Sequence, residues 1–224
     1  MGQNMELREA IQSRHSVRAY SEKAIGADIK EKLLAKIAEL NREGGLHIQL
    51  VCDEPKAFDG FMAHYGKFSG VTNYIAMIGK KADDLQERCG YYGEQLVLYA
   101  QQLGLNTCWV ALTYSKVKSA YQVDAGEKLA IVIAIGYGST QGVPHKTKNI
   151  ADVSKADKGA GWFTAGVEAA LLAPTAMNQQ KFRFEKKGNT VHASAGTGFY
   201  SKIDLGIAKL HFEIGAGTEN FQWA

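Results

Sequence analysis

Ser13-Arg14-His15-Ser16-Val17-Arg18-Ala19-Tyr20 is the stretch from which the rest of the chain reads most coherently. Three groups able to carry positive charge and two hydroxyls fall within residues 13–18. They stand at the end of a first helix, expected over 5–13 from Leu7, Ala10 and Ile11 at helical spacing. Arg14 and Arg18 each present a planar fork that can give two parallel hydrogen bonds to a pair of phosphate oxygens. Ser13 and Ser16 add neutral donors, and His15 adds a switchable one. Taken alone, so short a basic cluster reads as a solvated loop, and Arg14 would also suit the negative end of a helix dipole. The rest of the chain argues for more, because it holds a second basic pair, an Asn- and Gln-rich elbow and no conventional catalytic set.

At 224 residues the chain can bury a sizeable core, and 46% hydrophobic with 22% charged residues fits an ordinary globular protein. A net charge of +3 makes no case for nucleic acid as the partner, but suits a protein that holds one small anion. No apolar run reaches membrane-spanning length, and the first residues lack the apolar stretch of a signal peptide. Met1-Gly2 is followed by Glu6 where a myristoylation site wants Ser or Thr. Cys52, Cys89 and Cys108 are odd in number and unrelated in spacing, so reduced thiols in a cytoplasmic protein are expected, with no disulfide framework and no metal site.

Asp28 is expected to cap a second helix with Ile29, Leu33, Ile37 and Leu40 on one face, ended by Gly44-Gly45. Residues 46–52 read as a strand, 53–55 as a turn, 56–64 as a short helix and 73–79 as a buried strand. A strong amphipathic helix is expected from about Gly93 to Leu103, closed by Gly104 and followed by an extended segment. Ser115 should open another short helix. The seven apolar residues 129–135 predict a strand covered on both faces. Residues 139–161 have no hydrophobic period and read as a long connection. Helix 162–172, an elbow over 173–180, strand 181–185 and helix 204–214 then echo the earlier order, a hint of two similar α+β halves in one chain.

The usual catalytic sets are missing. There is no phosphate-binding Gly-rich loop after a strand, no nucleophile elbow and no His spacing suited to a metal. His211 beside Phe212 reads as structural, and Asp83-Asp84 as a solvated pair. A chain without a conspicuous acid, base or nucleophile suits chemistry carried by a cofactor.

Four separated segments then resemble one family, the FMN-dependent nitroreductases, over nearly the whole chain. Residues 14–20 resemble that family's opening FMN-binding motif, and Gly104-Leu105-Asn106-Thr107-Cys108-Trp109 its central helix exit. Gly136-Tyr137-Gly138 with His145-Lys146-Thr147-Lys148 resembles its closing glycine turn and basic pair. Pro174-Thr175-Ala176-Met177-Asn178-Gln179-Gln180 resembles its Pro-Ser-x-x-Asn-x-Gln elbow. In ordinary members that elbow comes soon after the basic motif and packs on the flavin of the other subunit. Here the early position holds Leu40-Asn41-Arg42-Glu43-Gly44-Gly45, which matches poorly, and Lys181-Phe182 replaces the frequent Pro-Trp.

The resemblance therefore implies the subgroup in which one chain acts as a fused pseudo-dimer. The implied fold is α+β, with antiparallel-rich central sheets flanked by helices and two similar halves, 1–150 and 151–224, in one compact unit. The implied protein is a monomer with one flavin site. Arg14, His15 and Ser16 would hold the phosphate and ribityl end, with Lys146 and Lys148 closing on the phosphate. Arg18, and less well Lys67, would approach the pyrimidine edge, where a cation stabilises charge developing on the reduced ring. Val110, Ala111 and Leu112 would face the ring near N5, and Pro174, Thr175, Ala176, Asn178 and Gln180 the opposite side. The implied activity is ping-pong hydride transfer through flavin N5, from NADH or NADPH to a nitroaromatic, quinone or similar small acceptor. No catalytic side chain, metal, membrane or nucleic acid is called for. A flavin-binding carrier, sensor or regulator without turnover would use the same residues, and a scaffold that has lost its cofactor is the third reading.

Overall fold

The computed structural model describes residues 5–224, so the reading of Met1-Gly2 lies outside the described residues. In chain order the elements are α1 (Leu7–Ser13), α2 (Ala27–Gly44), β1 (Gln49–Val51), α3 (Phe61–Tyr65) and β2 (Tyr74–Lys80). Next come α4 (Leu85–Gln102), β3 (Asn106–Val110), β4 (Glu127–Gly136), α5 (Ile150–Val153) and β5 (Ser154–Ala156). The last are α6 (Gly161–Leu171), β6 (Phe182–Lys187), β7 (Thr190–Ala195), α7 (Ser201–Ala216) and β8 (Gln222–Trp223). They form two compact units, one of residues 14–85 and 96–143, the other of 5–13, 86–95 and 144–224. None of the described helices is long and apolar enough to cross a membrane.

In the first unit four strands lie in the order β1-β2-β4-β3, antiparallel throughout. Residues 74–79 of β2 and 131–136 of β4 are buried without alternation, as their unbroken apolar runs predict for strands covered on both faces. Helix α2 buries Leu33, Ile37 and Leu40 and ends at Gly45, whose left-handed φ of 57° lets its N–H reach the Asn41 carbonyl. Its start differs from expectation: Gly26 is the N-cap, and Asp28 makes no capping bond but stands in the first turn, where its charge suits the dipole. The helix expected over 56–64 is confined to α3. None forms after Ser115; residues 115–121 make turns tied by the Ser115 N–H to the Ala57 carbonyl, and Val117, Ala120 and Tyr121 pack on the Phe58–Tyr74 core.

In the second unit the order is β5-β6-β7-β8, with β6-β7 antiparallel and both outer pairs parallel. The two sheets thus share a strand count but not a pairing scheme. Phe184, Phe212 and Trp223 form an aromatic core, with Phe184 stacked on Phe212 at 4.7 Å between centroids. Helix α4 starts at Leu85, well before the expected Gly93. Gly90 is tolerated in mid-helix because it lets the α7 backbone come close: a Cβ there would overlap the Ile203 carbonyl. The connection 139–161 also holds more structure than expected, namely α5 and β5. Asn149 and Asp152 form a reciprocal capping box at the α5 start, which supplies locally what hydrophobic period does not.

Candidate functional site

Residues 16–21 are stitched by backbone bonds into three separate parts of the first unit. The Val17 N–H donates to the Thr107 carbonyl at 3.0 Å, and Tyr20 and Ser69 exchange with the stretch through Tyr20 N–H to Ser69 O and Ser69 N–H to Arg18 O. Ser139 N–H and Ser21 N–H close on Ala19 O and Tyr137 O from the third side. Val17 and Tyr20 are buried anchors, so the side chains between them are held on a fixed backbone. Arg14 is buried, His15 and Ser16 are half-buried, and Arg18 is exposed with its guanidinium 5.9 Å from the Phe68 ring. Lys67, exposed and left-handed at φ 61°, lies one residue before that ring. Val110, Ala111 and Leu112 at the end of β3 pass from buried through half-buried to exposed.

Asn106 was not among the expected site residues, yet it fixes the glycine turn beside this stretch. Its Oδ1 accepts the Gly138 N–H at 2.9 Å, and its Nδ2 donates to Gln141 Oε1 at 3.0 Å. A buried Asn inside an apolar strand is the sequence clue, since strands disfavour Asn. Gly142, at φ +74°, brings the following backbone against His15, where a Cβ would crowd the His15 Cβ. Burial pushes the Cys108 thiol up, against the opposing pull of Arg18, Arg14 and a hydrogen bond from Ser16. Both guanidiniums favour the ionised thiol, but burial outweighs them.

In the second unit the basic pair and the elbow, some 30 residues apart in the chain, form one bonded body. The Lys146 carbonyl accepts from both Asn178 Nδ2 and Gln180 Nε2, each at 2.8 Å. Lys148 gives its backbone N–H to Gln180 Oε1 at 2.9 Å and its ammonium to the Gln180 carbonyl at 3.1 Å. Gln180 is buried and Lys146 exposed. Thr175 Oγ1 accepts the Gln180 N–H, while Pro174 is buried and Ala176 half-buried. Met177, Asn178 and Gln180 all take left-handed φ, of 50°, 54° and 45°. Each such residue other than glycine costs about 1–2 kcal/mol, so the surroundings must hold the turn.

Asp204 does much of that holding. Its carboxylate, 2% exposed in the first turn of α7, accepts the Ala176 N–H at 3.0 Å and Gln179 Nε2 at 2.6 Å. Burial, outweighing those two bonds, pushes its carboxyl up to about 6. Because the folded value lies above the unfolded one, the contribution of this group to stability is fully present below pH 3.8 and is lost as pH rises through about 6. The loss amounts to roughly 3 kcal/mol. A sequence clue existed: Asp204 and His211 fall on one face with Ile207, apart from the charged Lys202, Lys209 and Glu213 of the same helix.

Two further His clusters have structural explanations. His211 is fully buried, its Nδ1 donating to the Ala169 carbonyl and its Nε2 2.9 Å from Glu94 Oε1. His47 Nδ1 lies 2.8 Å from Glu127 Oε2 with Asp124 close by. Gln49 accounts for that group: its amide is fixed by donating to Gln122 O and accepting from Gln122 N–H, which turns its other hydrogen toward His47 Nε2 at 3.2 Å. Facing a donor, Nε2 is the acceptor, so Nδ1 carries the proton given to Glu127. The trio is a hydrogen-bonded latch on the turn before β4.

With this geometry in place, one family of known proteins matches most of the chain. Residues 6–216 match the family described as "Putative TM nitroreductase". The chain belongs to that family. It is similar to a nitroreductase from Thermotoga maritima MSB8, with 24% identity, 96% of this chain and 85% of that one covered, and a TM-score of 0.65. That likeness bears on the fold, which is the α+β nitroreductase fold with antiparallel sheet and flanking helices. Less similar are an FMN-dependent nitroreductase from Clostridium difficile R20291 (19% identity, 64% and 92% covered, TM-score 0.47) and a nitroreductase in complex with FMN from Desulfovibrio desulfuricans (15%, 65% and 93%, 0.47). At those scores they carry no argument about this chain. No curated protein matches it.

Proposed function

We propose that the protein is an FMN-dependent oxidoreductase that takes hydride from NADH or NADPH and reduces a small acceptor such as a nitroaromatic or quinone. Family membership supports the general class, and one observation carries the assignment to this chain: buried Arg14 and half-buried His15 and Ser16 lead into a backbone that is stitched on three sides and anchored by buried Val17 and Tyr20. Such a cluster fits a flavin phosphate, because it offers charge-assisted donors on a backbone that needs no reordering on binding. FMN, when bound, supplies hydride acceptance and donation at N5, so donor and acceptor would take turns in one space.

The residues of the chain bind and orient. Arg14, His15 and Ser16 are assigned to the phosphate and ribityl end together with the Lys146 ammonium. Lys148 and Gln180 hold each other and therefore build the elbow from beneath, which is a narrower role than direct contact. Arg18 and Lys67 are assigned to the pyrimidine edge, Val110–Leu112 to the N5 side, and Pro174, Thr175, Ala176 and Asn178 to the opposite side. On this reading the protein works as a cytoplasmic monomer, a fused pseudo-dimer with one FMN per chain whose second half, from residue 151, supplies the elbow.

The test is to change Arg14 and Lys146 to Ala together and titrate FMN. Loss of two charged donors should weaken binding by at least about 100-fold, at roughly 1.5–3 kcal/mol for each. Lys146→Ala alone, at an exposed position, should fold normally and show part of the loss. Retention of wild-type affinity in the double variant would remove the phosphate assignment.

A further inference from the structure

We propose that Asp204 is the positioning residue of the elbow: by accepting from the Ala176 N–H and the Gln179 amide at once, its carboxylate holds the left-handed turn 177–180 in the form that receives the cofactor. The inference deepens the proposed function and rests on its assignment of FMN to the elbow.

The geometry is that of a cap supplied from another element. Ala176 begins a single 3-10 turn whose own preceding residue, Thr175, makes no side-chain cap. Its N–H is satisfied instead by Asp204 in α7. Gln179 then carries the restraint further, because its Nε2 gives one hydrogen to Asp204 and the other to the Phe199 carbonyl at 2.8 Å. Phe199 precedes Tyr200, itself left-handed at φ 58°. Two strained turns are thus tied together through the Gln179 amide, which the carboxylate holds in place. The turn 177–180 contains no glycine, so a released backbone has every reason to relax toward ordinary φ.

The helix of Asp204 itself carries Lys202, Lys209, His211 and Glu213; the elements packed against that helix carry Glu87, Arg88 and Glu94 on α4, Glu168 on α6, Arg183, Glu185, Lys186 and Lys187 on β6 and His192 on β7, and Lys146, Lys148 and Lys181 flank the elbow. Lys148 is bonded to Gln180, Lys181 to the Thr197 carbonyl, and Glu87 to Lys209. The bonds recorded for the Asp204 carboxylate come from neutral donors, and burial dominates its titration. Protonation would relieve the buried charge while turning one of its two acceptors into a hydroxyl, a weaker partner for Gln179. Stability and cofactor affinity should therefore move in opposite directions. As pH falls from 7 to 5 the melting temperature gains from this group, while FMN affinity falls. The phosphate of FMN also takes up a proton at about pH 6, so the part of the affinity trend that belongs to Asp204 is the part that Asp204→Asn removes.

The experiment measures FMN affinity and melting temperature from pH 5 to 8 for the wild type, Asp204→Asn and Gln179→Ala, with amide exchange over residues 175–180 in the cofactor-free protein. Asp204→Asn leaves one acceptor for two donors, so an N–H faces either the Gln179 amide or the Ala176 N–H, and Gln179→Ala removes the bonds to Asp204 and to the Phe199 carbonyl while leaving the carboxylate. Each should bind FMN about tenfold more weakly at pH 7.5, the size expected for one charge-assisted hydrogen bond. Asp204→Asn should also show a shallower pH trend in affinity than the wild type, keeping only the phosphate's own part, and exchange over 175–180 should quicken in both. Wild-type affinity and an unchanged pH profile in either folded variant would overturn the proposal. If Asp204→Asn does not fold, Gln179→Ala decides. If the wild type binds no FMN, the cofactor reading fails by itself. Exchange over 175–180 then decides the brace: quickening supports it and no change overturns it.

Discussion

Replacing His211 with Ala should lower stability by about 3–5 kcal/mol, the range for breaking a fully buried, hydrogen-bonded ionisable pair. The ring is committed at both nitrogens: Nδ1 faces a carbonyl and must donate, and Nε2 meets the Glu94 carboxyl. One further proton is needed at the second contact, carried on the imidazole or on the carboxyl. Either way His211 and Glu94 share it in a site where both side chains have 0% exposure. Alanine removes the ring, leaves a cavity and takes one partner from a buried carboxyl. For a chain of this size the midpoint of a thermal melt should fall by about 10 °C or more. A change below about 1 kcal/mol would mean that the pair contributes little and that α7 is held by its apolar contacts alone.

Gly206→Ala should cost at least about 3 kcal/mol, the upper end for forced overpacking. A Cβ at residue 206 would fall inside contact distance of the Glu87 carbonyl and 2.7 Å from the Tyr91 nitrogen, both backbone atoms of α4. Gly90 presses on α7 from the other side in the same way, its Cβ position overlapping the Ile203 carbonyl. Neither obstacle is a flexible side chain that could swing away, so the two helices would have to separate. That separation would strain the Lys209–Glu87 and Tyr91–Glu213 bonds that cross the same contact. Gly159→Ala provides the control, since nothing lies within 4 Å of a Cβ there. It should change stability by no more than about 0.5 kcal/mol. Equal melting temperatures for the two variants would show that α4 and α7 are not in close backbone contact.

The same glycines explain why the sequence misleads at α4. Gly90 lowers helix propensity just where the close approach needs it, and the helix starts at Leu85 instead of Gly93. Strands β2 and β4 were legible because an unbroken run of large apolar residues has few other places to go. Residues 115–121 depart from the local rule because Ser115 suits a helix cap, whereas Val117, Ala120 and Tyr121 pack on a core built from distant segments. At the candidate site, the four separated motifs were visible one by one. The bonding of Lys146 and Lys148 to Asn178 and Gln180 was not, because no local rule joins residues some 30 positions apart. Neither Asn106 nor Asp204 stands out within its own strand or helix, because the partners that give each its role lie elsewhere in the chain.

The most direct test of the central claim is to purify the protein without added cofactor, record its visible absorption spectrum, and release and identify any chromophore. The account predicts a yellow protein that yields about one FMN per chain, bleached rapidly when NADH or NADPH is added. Two FMN per chain would contradict the fused single-site reading, and a colourless protein that takes up no added FMN would contradict the function itself.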